Sequence, residues 1–295
     1  MKLSAATTTL AVVLLALTAS LAPARLLAQA SEIPSAAPPV PAGETSEQRG
    51  RTLLDQMVQA LGGDLWLNRV SIQFDGRGSS FFHGAPNPYI IEYHEAIRLA
   101  RPSATPPIIE ADRVGFLTDR GMILPGKKVD VVQIFTAGHG YEITFKGKTE
   151  LPKEQVDDYN RRQAHSIEEV VRTWIHAPGV MIVYEGAGTV ERHMVDKVTV
   201  LTATNDAATL ELDATTHLPI RRTFQWHNPQ FNDFDEEAET YDDYHTIQGL
   251  PTALTITRYH DGDMSSQRFL TKVVYNEALT PDLFNPDAAV PKLKK

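Results

Sequence analysis

Ten histidines and 37 acidic side chains are the residues of this 295-residue sequence best suited to metal binding or proton transfer. The patterns that would commit them to a reaction are missing: the sequence has no HExxH, no Gly-x-Ser-x-Gly elbow, no GxGxxG and no P-loop. His139 stands between two glycines in a turn. His193, His217, His227, His245 and His260 fall at strand ends or on polar strand faces. None pairs with another at i, i+2 or i, i+4, the spacings that set two imidazoles on one metal. Asp233 to Asp243 holds seven carboxylates in eleven residues. Hard cations take several oxygen ligands, yet this run lacks the glycine and spacing of an EF-hand loop. A solvated strand edge, charged against edge-to-edge pairing, accounts for it better. Two carboxylates from distant strands can serve glycoside hydrolysis, but nothing singles out a pair. With no cysteine in the chain, thiol catalysis, thiolate metal sites and disulfides are excluded. The residues therefore point away from catalysis and imply no cofactor and no metal, leaving a hydrolase or metal-binding protein as the last alternative.

A different chemistry remains, the desolvation of an apolar ligand. Aromatic and aliphatic side chains fall on strand faces at Ile91, Tyr93, Ile97, Phe135, Ile143, Phe224, Trp226, Leu254, Ile256 and Phe269, and Val171 and Trp174 sit on a helical stripe. These twelve are the expected cavity lining, although each also reads as ordinary core.

The elements that must position them are mostly strands. Tyr89 to Leu99 alternates, with Tyr89, Ile91, Tyr93, Ile97 and Leu99 on one face, interrupted only by Glu95. Strands are expected over 71–78, 113–118, 128–136, 141–146, 180–184, 191–204 and 209–213, each ended by its own turn residues. From Thr209 to Tyr275 the chain reads as a meander in which Leu218-Pro219 and Leu250-Pro251 each open a strand, a position that proline tolerates. Two helical regions interrupt this pattern. The first is capped by Thr45 or Ser46, carries the stripe Leu54, Met57, Val58, Leu61, and stops at Gly62-Gly63. The second runs from Pro152 to Ala177; Ser166 caps its better half and Glu169 is expected to complete a capping box. The fold class is mainly β with two helical segments: one antiparallel sheet of ten or eleven strands, too wide to stay flat.

At the N-terminus Lys2, the apolar run Leu10–Leu21 and Ala28-Gln29-Ala30 form a secretory signal peptide, cleaved after Ala30. Without a cysteine at the cleavage point the chain is not a lipoprotein. Residues 1–30 are thus the signal, 31–45 a Pro/Ala-rich linker and 46–290 one domain. Without Lys2 and Arg25, 26 basic side chains face 37 acidic ones, a net −11. Such a chain repels nucleic acid and anionic membranes.

Several of these motifs resemble the lipoprotein-carrier superfamily, outer membrane lipoprotein-sorting proteins of the LolA, LolB, LppX and RseB amino-terminal type. They are Ala60-Leu61-Gly62-Gly63 before the first strand, LELDATTHLPIRRTF, YDDYHTIQGLPTALTITRYHDG, and Val274-Tyr275-Asn276 followed by Phe284. The resemblance covers most of the chain after Arg51. It implies an incomplete β-barrel of about eleven strands closed by helices, with an apolar cavity that carries lipid or lipoprotein acyl chains in the periplasm. It also implies a buried arginine that latches a lid, a role no motif assigns to Arg98, Arg101 or another arginine. The alternative within the same fold is a sensing module that binds an envelope protein partner.

Overall fold

The structure, a computed structural model, describes residues 43–99, 112–119, 131–229 and 231–288. The expected signal peptide and nearly all of the linker lie outside the described residues.

Thirteen strands form one antiparallel sheet in the order β6-β5-β4-β3-β2-β1-β13-β12-β11-β10-β9-β8-β7. The first meander is β1 (Ser71–Phe82), β2 (Ala85–Arg98), β3 (Asp112–Asp119), β4 (Val131–Thr136), β5 (His139–Thr144) and β6 (Gly147–Glu150). The second is β7 (Met181–Val190), β8 (His193–Leu201), β9 (Ala207–Asp213), β10 (Pro219–Asn228), β11 (Asp233–Ile247), β12 (Leu250–His260) and β13 (Asp263–Tyr275). Every neighbouring pair is consecutive in sequence except β1 and β13, which join the two meanders from Ile72↔Tyr275 to Ser80↔Ser266. Turn chemistry drives the hairpins: His83-Gly84, Ala137-Gly138, Gln248-Gly249 and Asp261-Gly262 all place two successive residues at positive φ. That is the backbone a tight right-twisted hairpin requires.

The fold class is as the sequence reads, with thirteen strands in place of about eleven. β6 was not foreseen because Gly147-Lys148-Thr149-Glu150 has no apolar alternation, and its residues are mostly exposed. Both Leu-Pro pairs open strands as expected, β10 at Pro219 and β12 at Leu250.

α1 (Ser46–Leu61) has the full Thr45/Gln48 capping box, and its buried face includes Leu53, Leu54, Met57, Val58 and Leu61. It leaves the middle of the sheet yet packs on β7, where a Cβ on Gly50 would lie 2.7 Å from Ile182 Cγ2. Ser46 Oγ accepts from Tyr184 N at 2.9 Å and donates to Tyr184 O at 3.0 Å, satisfying backbone on an edge strand. The short α2 (Asp64–Leu67) follows and buries Trp66. Between β6 and β7 come α3 (Lys153–Ala164), α4 (Ile167–Arg172) and a 3₁₀ turn, Trp174–His176. Ser166 Oγ accepts from Glu169 N, but the Glu169 carboxyl leaves the box half-made, with Oε1 buried and unpaired.

This helical segment runs from one edge of the sheet to the other and touches both halves. Tyr159 stacks on Phe135 of β4 at 4.0 Å between ring centroids, and His165 stacks on Phe224 of β10 at 4.1 Å. Seven strand steps separate β4 from β10. Flat, they would span roughly 34 Å at about 4.8 Å a step. Tyr159 to His165 rises only about 9 Å along a helix. The sheet must therefore curl around the helices, and β6 and β7 remain unpaired edges, so it does not close into a barrel.

The main core lies inside this curve, where α1, α4 and Trp174 meet β7–β9, β12 and β13. A second cluster of Ala96, Val132, Ile134, Ile143 and Phe284 buries the opposite face of β2, β4 and β5 beneath the 3₁₀ turn Pro281–Phe284.

Candidate functional site

The curled sheet and the helices above it enclose a cavity of about 330 Å³. Its apolar wall comes from the end of α1 and from α2 (Leu61, Trp66), from β1 and β2 (Ile72, Phe74, Ile97), and from β12 and β13 (Ile256, Leu270, Val273). Alternation explains the sheet residues: Phe74 lies opposite Val273, and Ile72 opposite both Ile97 and Tyr275, on one face.

Of the twelve residues expected to line a cavity, the structure brings Ile97 and Ile256 onto this wall. Tyr93 is buried behind it, edge-on to Phe74 at 6.1 Å. Val171, Trp174 and Leu254 belong to the main core, and Ile91 lies half-buried on β2. Phe135 and Phe224 carry the helical segment, while half-buried Trp226 lies under the Arg161 guanidinium at 4.2 Å. Two residues are placed away from the interior. Ile143 packs in the second cluster under Phe284, because its neighbour β4 buries apolar side chains on both faces, Val132 and Ile134 on one and Phe135 on the other, and alternation alone cannot choose. Phe269 is 44% exposed. A β-bulge opposite Asp75/Gly76 inserts Thr271 and reverses the alternation of β13, so Leu270 and Arg268 turn inward and Phe269 outward.

The sequence reading missed the charged half of the cavity. Among the described residues seven arginines and four glutamates stand on its wall, and no lysine, aspartate or histidine. Glu95, the interruption on the apolar face of β2, is 2% exposed and bridges two cations. Arg268 Nη2 donates to its Oε2 at 2.8 Å, and Arg113 Nη2 donates to its Oε1. Burial alone would raise the Glu95 pKa, but the charges of Arg113 and Arg268 and their hydrogen bonds outweigh it and hold it at about 2. Arg268 Nε also donates to Tyr93 Oη at 3.1 Å, and its guanidinium lies over the rings of Tyr93 and Phe74 at 4.6 and 5.2 Å.

A second bridge crosses three strands in one row. Arg222 lies opposite Glu239, and Glu239 opposite Arg258. Arg222 Nη2 and Arg258 Nε donate to Glu239 Oε2 at 3.0 and 3.3 Å. Burial would raise the Glu239 pKa, and the charges of Arg258 and Arg222 lower it below the usual carboxylate value. Arg222, only 2% exposed, also donates through Nη1 to the carbonyls of Arg162 and His165 at 3.2 and 2.9 Å. It thereby fastens the corner between α3 and α4 to β10. Nearby, Arg162 Nη1 donates to Glu237 Oε2 at 3.4 Å. At the α2 end, Arg69 donates to Glu168 Oε1 and to Trp66 O, both at 2.9 Å, and Arg172 reaches Trp66 O at 3.4 Å. Burial raises the Glu169 carboxyl above its ordinary value. The signal for part of this network was present in the sequence as charges in line with apolar inward positions, Glu95, Arg222 and Arg258, whereas Arg268 turns inward only through the bulge.

Among the described residues no three His, Asp or Glu side chains gather as a metal would need, and no helix is long and apolar enough to cross a membrane. The described histidines that meet aspartates, His94–Asp75, His165–Asp206, His193–Asp213, His245–Asp243 and His260–Asp261, do so at separate places.

An open antiparallel sheet curled around an interior cavity, its edges joined by a helical segment, defines a half-barrel fold. Two solved structures share it. One is a DUF1329 family protein from Desulfovibrio piger, with a TM-score of 0.53 and 9% identity over 83% of this chain and 99% of that one. The other is a putative outer membrane lipoprotein-sorting protein domain from Vibrio parahaemolyticus, with a TM-score of 0.51 and 8% identity over 83% of this chain and 100% of that one. The resemblance read from the sequence motifs is borne out as a likeness of fold. By sequence, the chain matches no protein-family model and no curated protein.

Proposed function

We propose that this chain is an exported, periplasmic, non-catalytic protein that holds the acyl chain of a lipid or lipoprotein in its interior cavity. Residues 1–30 are its cleaved signal, 31–45 a tether and 46–290 the binding domain. The observation that carries this reading is the apolar wall from Leu61 and Trp66 across Ile72, Phe74 and Ile97 to Ile256 and Val273. About 330 Å³ is at the small end of the roughly 300–1,000 Å³ range of ligand pockets. It suits one chain rather than several. Each methylene moved from water onto such a wall contributes about 0.8 kcal/mol. The likeness to a lipoprotein-sorting domain supports the fold on which such binding depends.

To test the reading, the mature protein is purified from the periplasm and extracted for lipid mass spectrometry, with titration of a fluorescent fatty acid alongside. Co-purified lipid, or saturable binding at one site that Ile97→Asp abolishes, is the expected result. An interior that yields no lipid and takes up no probe overturns it.

A further inference from the structure

Among the described residues the cavity wall carries seven arginines against four glutamates, an excess of three positive charges. Glu237, just behind Arg162, reduces the excess to two. The whole chain has a formal charge of −9, so this interior opposes the sign of the molecule around it. Buried cations in excess are costly unless an anion joins them. Burial lowers the pKa of Arg162 below the ordinary arginine value, whereas the carboxylates around Arg222 and Arg268 outweigh burial and raise theirs.

The donors left over point to where that anion sits. Arg258 commits only Nε, to Glu239, and its two Nη groups have no protein partner among the described residues. Arg268 keeps Nη1 in the same condition. Arg222 Nε is fully buried and unpaired. All three side chains face inward, Arg258 and Arg268 from the adjoining β12 and β13 and Arg222 from β10, with Glu239 of β11 between Arg222 and Arg258. The use of arginine alone fits an oxyanion that presents paired oxygens, a carboxylate or a phosphate, since a guanidinium offers paired donors in a rigid fork.

Polarity is also sorted along the strands. Two residues from Glu239, Arg258 and Arg268, at the next inward positions, stand Tyr241, Ile256 and Leu270, each on the cavity wall. Beyond them lie Val273 and Phe74. A charged band thus borders an apolar floor.

Resting on the lipid-binding reading above, we propose that the arginine band of β10, β12 and β13 binds the anionic head group of a single-chain amphiphile, a phosphate or carboxylate, while its tail lies over Ile256, Leu270 and Val273. The head group docks at the Nη groups of Arg258 and Arg268, and the carboxylates of Glu95 and Glu239 hold those guanidinia in place.

The test compares ligands with one chain length and different heads on the mature full-length protein: 1-palmitoyl lysophosphatidic acid, palmitate and 1-monopalmitoylglycerol, each displacing a fluorescent fatty acid. Inorganic phosphate and acetate serve as headgroup-only arms. The two anionic amphiphiles are expected to bind about tenfold or more tighter than the neutral one, the equivalent of one charge-assisted hydrogen bond. Their relative order identifies phosphate or carboxylate as the preferred head. Arg258→Gln is expected to reduce this preference to about threefold or less, and Arg258→Lys, which keeps charge without the fork, to an intermediate value. On the unmodified protein, raising salt from 0.05 to about 0.5 M is expected to narrow the preference, a readout independent of whether the variants fold. If the neutral amphiphile binds as tightly as the anionic ones, the head-group site is wrong while lipid binding stands. If no amphiphile binds, both fall. If inorganic phosphate alone displaces the probe as well as the amphiphiles do, the site is one for a free anion and the proposal is overturned.

Discussion

Glu95 is where the charged interior is most exposed to experiment. Replacing it with glutamine leaves Arg113 and Arg268 without their shared counter-charge, and breaking a buried pair in this way costs about 3–5 kcal/mol. Urea denaturation of Glu95→Gln at pH 7 reads that loss directly. The pH dependence has a definite sign. The folded pKa of Glu95, about 2, lies below its ordinary value of 4.5, so its stabilising contribution is complete above 4.5. It fades as the pH falls from there toward 2. Wild-type stability is therefore expected to drop over that window, and the part due to Glu95 to be missing from the glutamine variant. The sequence displayed this residue plainly as a break in an apolar face. What it did not display was the reason for the break. The partners lie 18 and 173 residues away, and an ion pair between strands leaves no local pattern.

Elements were legible where local physics decides them and obscure where partners decide. The capping box and apolar stripe of α1, the X-Gly hairpins and the Leu-Pro strand starts are local, and the structure has all of them. α3 was poorly specified because it buries one residue, Tyr159, and is otherwise polar. Its position depends on a remote hand-hold, Arg222 on the carbonyls of Arg162 and His165. Arg222→Met is expected to leave the sheet formed but to speed amide exchange over residues 159–177 by tenfold or more, equivalent to about 1.4 kcal/mol of local stability. Hydrogen exchange with mass spectrometry checks this. Exchange unchanged there would show that packing on Phe135 and Phe224 suffices. The bulge in β13 was equally hidden, since one extra residue reverses every side chain beyond it. It sits beside Gly76, where a Cβ would meet Tyr93 Oη at 2.4 Å and Phe269 O at 2.8 Å. Gly76→Ala is expected to cost about 1–3 kcal/mol by overpacking. Thermal melts measure it.

At the scale of the molecule, the order of strands within each meander follows from the sequence, because every hairpin joins neighbours. The seam between β1 and β13 does not, since it pairs residues about 200 positions apart. A bound amphiphile stabilises the whole structure by mass action. At about 100 times its Kd the gain is about 2.7 kcal/mol, which in a chain of this size raises Tm by several degrees. Differential scanning calorimetry with lysophosphatidic acid, set against the protein alone, is the check. An unchanged Tm at saturation would contradict binding to the folded state.

Residues 151–180 have a mechanical consequence. They tie the last residue of β6 to the first of β7, the two free edges of the sheet, and hold two helices along the way. A cord of fixed length between the tips of a bent plate works as a bowstring does on a bow, setting how far the limbs can spread. The plate cannot flatten until the string uncoils, and uncoiling α3 and α4 breaks their hydrogen bonds. Any spreading of the two edges must therefore first release the Arg222 contact to the corner of α3 and α4, and its extent is set by the length of chain between Glu150 and Met181.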